Sequence, residues 1–314
     1  MHRPLRLLPL LLAACGHSEP FRAPDPGTDQ PFDPGPPARL TVNVGTDGQP
    51  SFSPDGSKFI YSFDDWTNGT DRCLGVFPTG RARVSQVLCP TVNSFSDDQM
   101  QQPALSNSGR VAYRLARQSP TGFGPYYEAV IASSLSDPRD TTEVRPIPFS
   151  TPDGVLHAQV ERLAWVHGDS LAILTDGRVY LVDPDDPAHV FRTLPVAGFV
   201  TGMAPERTGD RLYVTLGGDS TAYSVALGSG GLTALHDFTW AGIPTGFQVG
   251  GHRMIATAQA GLIDVDLDAG TQELLNTLDL IVYNFALSPD GHRMVLEAVD
   301  TTVSPSADLY VLEQ

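Results

Sequence analysis

The chain has 314 residues, of which 36 are acidic and 20 are basic, so its formal net charge is −16 at pH 7. This negative charge argues against binding to nucleic acid or to an anionic lipid surface, because both would repel the protein. Hydrophobic residues make up 41% of the sequence. That share is enough to bury a core, which excludes a disordered acidic chain.

The first element is an export signal at residues 1–14. It has a basic start and an apolar run, residues 7–14, that is too short for a bilayer span of roughly 20 residues. The sequence Leu12-Ala13-Ala14-Cys15 resembles the bacterial lipobox, which implies that Cys15 receives a diacylglycerol and becomes the first residue after cleavage. Gly16 then implies anchoring in the outer membrane, facing the periplasm or the cell surface. The alternative is an ordinary signal peptide with an incidental cysteine.

Residues 15–37 form a linker that begins at Cys15. The segment is dense in proline and has no apolar periodicity, so we expect an extended chain of up to about 3.1 Å per residue. It would hold the domain at 38–314 away from the lipid. No later segment is long and apolar enough to be a membrane span.

An internal repeat defines the domain. Residues 52–61 and 287–296 each contain an apolar stretch, a Ser-Pro-Asp-Gly turn and an alternating strand. In such a turn proline presets φ, and glycine accepts the left-handed conformation that closes a hairpin. With the weaker copies, the turn glycines are residues 56, 109, 168, 209, 251 and 291. Spacings near 40 are typical of four-stranded propeller blades, and the two longer spacings indicate loop insertions.

These features predict an all-β fold, a six-bladed β-propeller. The last blade stops after its third strand, at 308–312, and an extra strand at 38–43 precedes the first blade. We expect these two strands to pair, which closes the ring and removes an open sheet edge. Seven blades are the alternative because two spacings are long, although the sequence contains no seventh unit.

The repeat unit resembles that of the TolB-type propeller family, in which an apolar stretch, Ser-Pro-Asp-Gly and further strands recur. The resemblance extends over 38–314 and is strongest at the turns 53–56 and 288–291. It implies an exported domain with an envelope or peptidoglycan-associated partner. TolB-type chains also carry a small α/β domain before the propeller, for which the proline-rich linker leaves no room.

Two cysteines flank a predicted hairpin. Residue 81 is midway between Cys73 and Cys89, so a symmetric hairpin would place them opposite each other. An exported, oxidising location favours a disulfide between them. Two unpaired thiols are the alternative.

Sequence motifs of enzymes and metal sites are absent. There is no Gly-x-Ser-x-Gly, no phosphate-binding glycine loop and no His-Glu-x-x-His. His252 and His292 follow turn glycines and are typical of exposed turn residues. The aspartates within 183–186 and 264–268 do not have the spacing of a calcium loop. We therefore predict no catalytic residue, no metal and no cofactor.

Three consecutive blades have long connections between their second and third strands, at 63–72, 115–125 and 298–307. Long loops on a rigid scaffold often carry binding residues, and exposed aromatic residues are common anchors. The candidate binding face consists of Asp64, Asp65, Trp66, Phe123, Tyr126, Tyr127 and Asp300. The alternative is drift in loop length, with the aromatic side chains folded inward.

Two functions remain open. The first is a monomeric, non-catalytic scaffold that is anchored to the membrane and binds an envelope protein or a cell-wall component. The second is a propeller hydrolase or lactonase with a metal in its central channel. The lack of convergent histidine and carboxylate motifs favours the first.

Overall fold

A computed structural model gives the structure of the protein. The described residues are 37–41, 45–64, 72–79, 84–90, 98–117, 127–138, 140–144, 160–166, 169–186, 188–206, 210–238, 241–242, 244, 246–275, 277, 280–302 and 306–313. Among them all 24 regular elements are β-strands, so the prediction of an all-β fold is confirmed. The predicted signal, Cys15 and nearly all of the linker lie outside the described residues.

Three separate sheets are antiparallel meanders of four consecutive strands. The first contains β10 (Val160–Val166), β11 (Ser170–Thr175), β12 (Arg178–Val182) and β13 (Arg192–Thr193). The second contains β14 (Val200–Pro205), β15 (Arg211–Leu216), β16 (Thr221–Ala226) and β17 (Leu232–Asp237). The third contains β18 (Gly246–Gly250), β19 (Arg253–Ala258), β20 (Gly261–Asp266) and β21 (Thr271–Leu274). They lie where the sequence predicted the third, fourth and fifth blades.

A fourth four-stranded sheet combines both ends of the described chain. It contains β22 (Leu280–Leu287), β23 (Arg293–Asp300), β24 (Asp308–Glu313) and β1 (Ala38–Arg39). The backbone N–H of Leu40 donates to Leu309 at 2.7 Å, and the Arg39 guanidinium contacts Asp308 at 2.6 Å. The first described strand therefore forms the outer strand of the last sheet.

The remaining strands form one eight-stranded sheet made of two consecutive meanders. These are β2 (Asp47–Phe52), β3 (Lys58–Asp64), β4 (Arg72–Pro78) and β5 (Gln86–Leu88), then β6 (Asp98–Leu105), β7 (Arg110–Arg117), β8 (Tyr127–Ser134) and β9 (Thr141–Val144). A parallel bridge between Arg72 and Gln99 joins the meanders. Because of this bridge, the described residues form four separate four-stranded sheets and one eight-stranded sheet. The number of separate four-stranded blades is therefore four, whereas the sequence predicted six.

The first strands of the six meanders line a common space, which we call the channel. They contact each other in the order β2, β6, β10, β14, β18 and β22, and β22 also contacts β2. Each first strand runs toward the turn that joins it to the second strand. We call the side with these turns the turn face, and the side with the connections between second and third strands the loop face.

Neighbouring turns contact each other on the turn face. The backbone N–H of Asp55 donates to the Asn107 side chain at 2.8 Å, and that of Gly251 donates to Pro289 at 2.8 Å. These hydrogen bonds satisfy backbone groups that the sheets leave unpaired, and they fix adjacent meanders relative to each other.

The two Ser-Pro-Asp-Gly turns have the same hydrogen bonds. The Ser53 hydroxyl donates to Asp55 at 2.6 Å, and the Ser288 hydroxyl donates to Asp290 at 2.5 Å. Burial alone would raise the pKa of each aspartate, but these bonds and others from Ser57 and His292 lower both pKa values below the ordinary range. The turn glycine Gly291 has φ +80°, in the left-handed region that glycine tolerates.

The hydrophobic core lies between neighbouring sheets rather than in the channel. Between β3, β4 and the last sheet, the buried rings of Phe59, Tyr61 and Phe77 pack with Val295 and Leu309. Similar buried clusters join the other adjacent meanders. Full burial of one such side chain contributes roughly 1.5–3 kcal/mol, so the packing between meanders is a main source of stability.

A disulfide joins Cys73 and Cys89, as the sequence predicted. In the register of β4 and β5, Leu74 is opposite Leu88 and Val76 is opposite Gln86. The same register places the two cysteines opposite each other. The disulfide therefore ties the outer strand of the first meander to its buried neighbour.

Candidate functional site

A polar contact crosses the middle of the channel. Arg162 on β10 donates through Nη2 to Oδ1 of Asn284 on β22, at 3.3 Å. These strands belong to different sheets, so the arginine side chain reaches across the channel. Burial lowers the pKa of the Arg162 guanidinium, and the negative charge of Glu297 acts in the opposite direction.

A partly buried carboxylate lies near this contact. Oε2 of Glu297, on β23, accepts a hydrogen bond of 2.8 Å from the backbone N–H of Gln49. The carboxylate approaches Gly48 so closely that a Cβ there would be 2.4 Å from its carboxyl carbon. Burial raises the pKa of Glu297, although this hydrogen bond and the charges of Arg72 and Arg162 favour the ionised form.

Arg162, Asn284 and Glu297 form a layer of polar side chains across the channel, which we call the polar layer. Two glutamines on neighbouring first strands belong to it as well. Gln49 and Gln102 have φ of 53° and 50°, and each lies at a register shift of its strand. The backbone N–H of Gln102 donates to Oε1 of Gln49 at 2.6 Å. Oε1 of Gln102 is buried and accepts no hydrogen bond from the described residues.

A cavity occupies the half of the channel nearest the turn face. It has a volume of about 850 Å³, mouth included. Its walls combine apolar side chains with the polar layer, and its mouth lies among the turns. The lining residues used below are Gln49, Phe52, Gln102, Arg162, Leu163, Met203, Glu206 and Val249. We call this cavity the channel pocket. Within it, the space open to water-sized molecules is about 80 Å³, which holds several water molecules or a small organic group.

Parts of the sequence-predicted binding face are described at the loop face. Asp64 ends β3 and contacts the Arg72 guanidinium at 3.3 Å. Asp300 ends β23 and accepts a hydrogen bond from the Thr302 hydroxyl at 2.6 Å. Tyr127 begins β8, and its side chain lies outside the described residues. The positions of Asp65, Trp66, Phe123 and Tyr126 also lie outside them.

Two exposed apolar side chains at the loop-face half of the channel were not identified from the sequence. Ile281 and Tyr283 on β22 are 50% and 64% exposed. In the register of β22 and β23, Leu280 is opposite Asp300. Ile281 and Tyr283 therefore lie at the strand ends that carry one of the predicted binding residues. The sequence could have indicated them, because residues two apart in a strand share one face and these two are both large and apolar.

The described residues contain no group of three or more histidine, cysteine, aspartate or glutamate side chains placed to hold a metal ion. Within the same residues there is no helix with the length and apolar character needed to cross a bilayer.

No protein-family model matches the sequence, and no curated protein matches it. The crystal structure of the Myceliophteria thermophila Cps50 (Swd1) β-propeller domain is similar, with a TM-score of 0.55 and 16% identity over 88% of this chain and 86% of that one. A crystal structure of a mitotic checkpoint complex matches with a TM-score of 0.48 and 13% identity over 88% and 78% of the two chains. The first similarity shows that this chain has a β-propeller fold, which confirms that part of the prediction.

Proposed function

We propose that this chain is a TolB-like, six-bladed β-propeller lipoprotein of the cell envelope, which binds a protein partner through its loop face without catalysis. The six meanders would be its blades. Support for six comes from the cyclic contacts of the six first strands. The pairing of β1 with β24 supports ring closure, because it completes the last blade with the first strand.

The exposure of Ile281 and Tyr283 is the observation that carries the proposed binding role. Large apolar side chains that stay half-exposed beside a channel mouth cost free energy in water and commonly mark an interaction site. Tyrosine is also enriched among the residues that dominate binding at protein interfaces. The carboxylates of Asp64 and Asp300 would form part of a polar rim around them.

Site-specific photo-crosslinking in cells tests this role. A benzophenone amino acid replaces Tyr283 in one variant and Leu274 in the control, since Leu274 is 56% exposed on the outer strand β21. We expect a discrete adduct from position 283 and none from position 274. Adding Ile281→Asp to the first variant should remove most of that adduct. Equal adducts at both positions, or none at position 283, would contradict the proposal.

Lipidation of Cys15 has its own test. Cells are labelled with an alkyne fatty acid, and the wild type is compared with Cys15→Ala. We expect label in the membrane fraction for the wild type, and an unlabelled chain without membrane association for the variant. An unlabelled wild-type chain would show that the segment is an ordinary signal peptide.

A further inference from the structure

The channel pocket contains a partly buried positive charge whose neighbours do not neutralise it at close range. Among the described residues that line it, Arg162 carries the only positive charge and Glu206 the only negative one. None of the ion pairs formed within the described part of the chain includes Arg162. Its one hydrogen bond in that part is the 3.3 Å contact to the neutral amide of Asn284. A guanidinium has five N–H donors, so most of its donor capacity is unused.

Burying such a group is costly unless an anion accompanies it. Desolvation of a guanidinium is offset only when a carboxylate or phosphate accepts its hydrogen bonds in good geometry. Glu297 favours the charged form of Arg162 from a distance, but its own hydrogen bond comes from the backbone of Gln49. The polar layer therefore leaves room for an external anion at Arg162.

A second polar group lies in the same pocket. The side-chain oxygen of Gln102 is buried and has no hydrogen-bond partner among the described residues. The two ends of an amide side chain are interchanged by a simple rotation, so Gln102 is able to present its NH₂ group instead. Arg162 and Gln102 then both offer donors to one ligand.

The rest of the lining indicates the body of that ligand. Phe52, Leu163, Met203 and Val249 contribute apolar surface to the pocket. Pockets of this kind recognise small molecules by apolar contact and orient them with a few polar groups. The net negative charge of the protein does not prevent anion binding there, because charges beyond about 8 Å are screened at physiological ionic strength.

We propose that the channel pocket binds an organic carboxylate with an apolar body, held by its carboxylate at Arg162 and Gln102. A planar carboxylate fits the guanidinium fork with two parallel hydrogen bonds, which a phosphate also accepts but an uncharged amide does not. The apolar side chains then cover the body of the ligand. This site lies at the opposite end of the channel from the proposed partner-binding residues, so either proposal is able to fail without the other.

Calorimetric titration of the purified full-length chain tests the site with a matched pair of probes. Naphthalene-2-carboxylate and naphthalene-2-carboxamide have the same shape and differ in charge. We expect the carboxylate to bind at least about tenfold more tightly than the carboxamide, since an ionised acceptor strengthens the arginine contact. Arg162→Gln should remove this difference, whereas Arg178→Gln, at an exposed arginine on β12 of the same sheet, should leave it unchanged.

Further variants keep the test decisive. If Arg162→Gln does not fold, Glu297→Gln replaces it, and it should tighten carboxylate binding about threefold because it removes a competing negative charge. A short peptide ending in phenylalanine, with a free or an amidated C-terminus, shows whether a chain end is also accepted. Equal binding of the charged and neutral probes, no binding of either, or an unchanged preference in Arg162→Gln would overturn the proposal.

Discussion

Carboxylates in the turns and in the channel have opposite environments. Asp55 and Asp290 accept short hydrogen bonds from their own turns, and their pKa values are lowered. Glu297 is enclosed by the channel, and burial raises its pKa. The turn carboxylates therefore stabilise the fold in their charged form, whereas folding disfavours the charged form of Glu297.

The direction of the pKa shift distinguishes carboxylates that stabilise the fold from those that are available for binding. A local turn satisfies its own polar groups, so the charge of its aspartate contributes to stability. A channel residue relies on groups from several meanders, and its polar atoms stay incompletely satisfied. Incomplete satisfaction costs stability, and residues with that property are often those that contact a ligand. The three predictions that follow test this contrast between turns and channel.

The largest effect is expected from Gly291→Ala. Alanine would adopt a left-handed φ at +80°, and its Cβ would lie 2.5 Å from the backbone oxygen of Gly250 in the adjacent turn. We expect a loss of about 3 kcal/mol in urea unfolding, from backbone strain and overpacking together. Gly218→Ala is the control, since φ is +81° there and nothing lies within 4 Å. It should cost about 1 kcal/mol. Equal losses would show that contact between turns does not matter.

A smaller effect is expected from Asp290→Ala, which removes the acceptor of Ser288 and of the His292 backbone. Loss of these two hydrogen bonds should cost about 1.5 kcal/mol at pH 7. A lowered pKa gives stability above the ordinary value near 4, and this stability is lost as pH falls through the lowered value. The cost should therefore shrink in acid. Ser106→Ala, at a turn serine whose hydroxyl contacts only Ser108 and the Arg110 backbone, should show no such dependence. A cost independent of pH at Asp290 would contradict the turn mechanism.

The smallest effect is expected from Glu297→Gln. For a carboxyl group whose pKa is raised by folding, stability is fully present below the unfolded pKa and is lost as pH rises through the folded pKa. Wild type should lose this stability above about pH 4, and the variant should not. Thermal unfolding from pH 4 to pH 8 should show a relative gain for the variant of about 1 kcal/mol. A relative loss of stability for the variant would show that the charged form of Glu297 stabilises the fold, as the turn carboxylates do.

The turns were predictable from the sequence because their determinants are local. Serine, proline, aspartate and glycine at consecutive positions form the internal hydrogen bonds of the turn, from the Ser53 hydroxyl to Asp55 and from the Gly56 N–H to the Ser53 carbonyl. The Cys73–Cys89 pairing was also predictable, since hairpin symmetry sets which residues are opposite each other. In both cases the partners are close along the chain.

The channel was not predictable, because its contacts join residues from distant meanders. Arg162 and Asn284 are 122 residues apart, and neither position repeats from blade to blade. A signal was present, since Glu297 is a charged residue between apolar neighbours of β23 and Arg162 directly precedes the apolar end of β10. The bridge between Arg72 and Gln99 that merges two meanders also depends on packing that local sequence does not specify.

The pairing of β1 with β24 has a mechanical consequence. The chain enters β1 from the turn face and runs toward the loop face, antiparallel to β24. A pull on residue 37 along the strand axis would therefore load the strand in shear. The Leu40–Leu309 hydrogen bond, the Arg39–Asp308 ion pair and the bond from Leu309 to the Thr41 hydroxyl would share the force. Ala38 and Arg39, the two residues of β1, would therefore lose their hydrogen bonds together under tension and not one after the other.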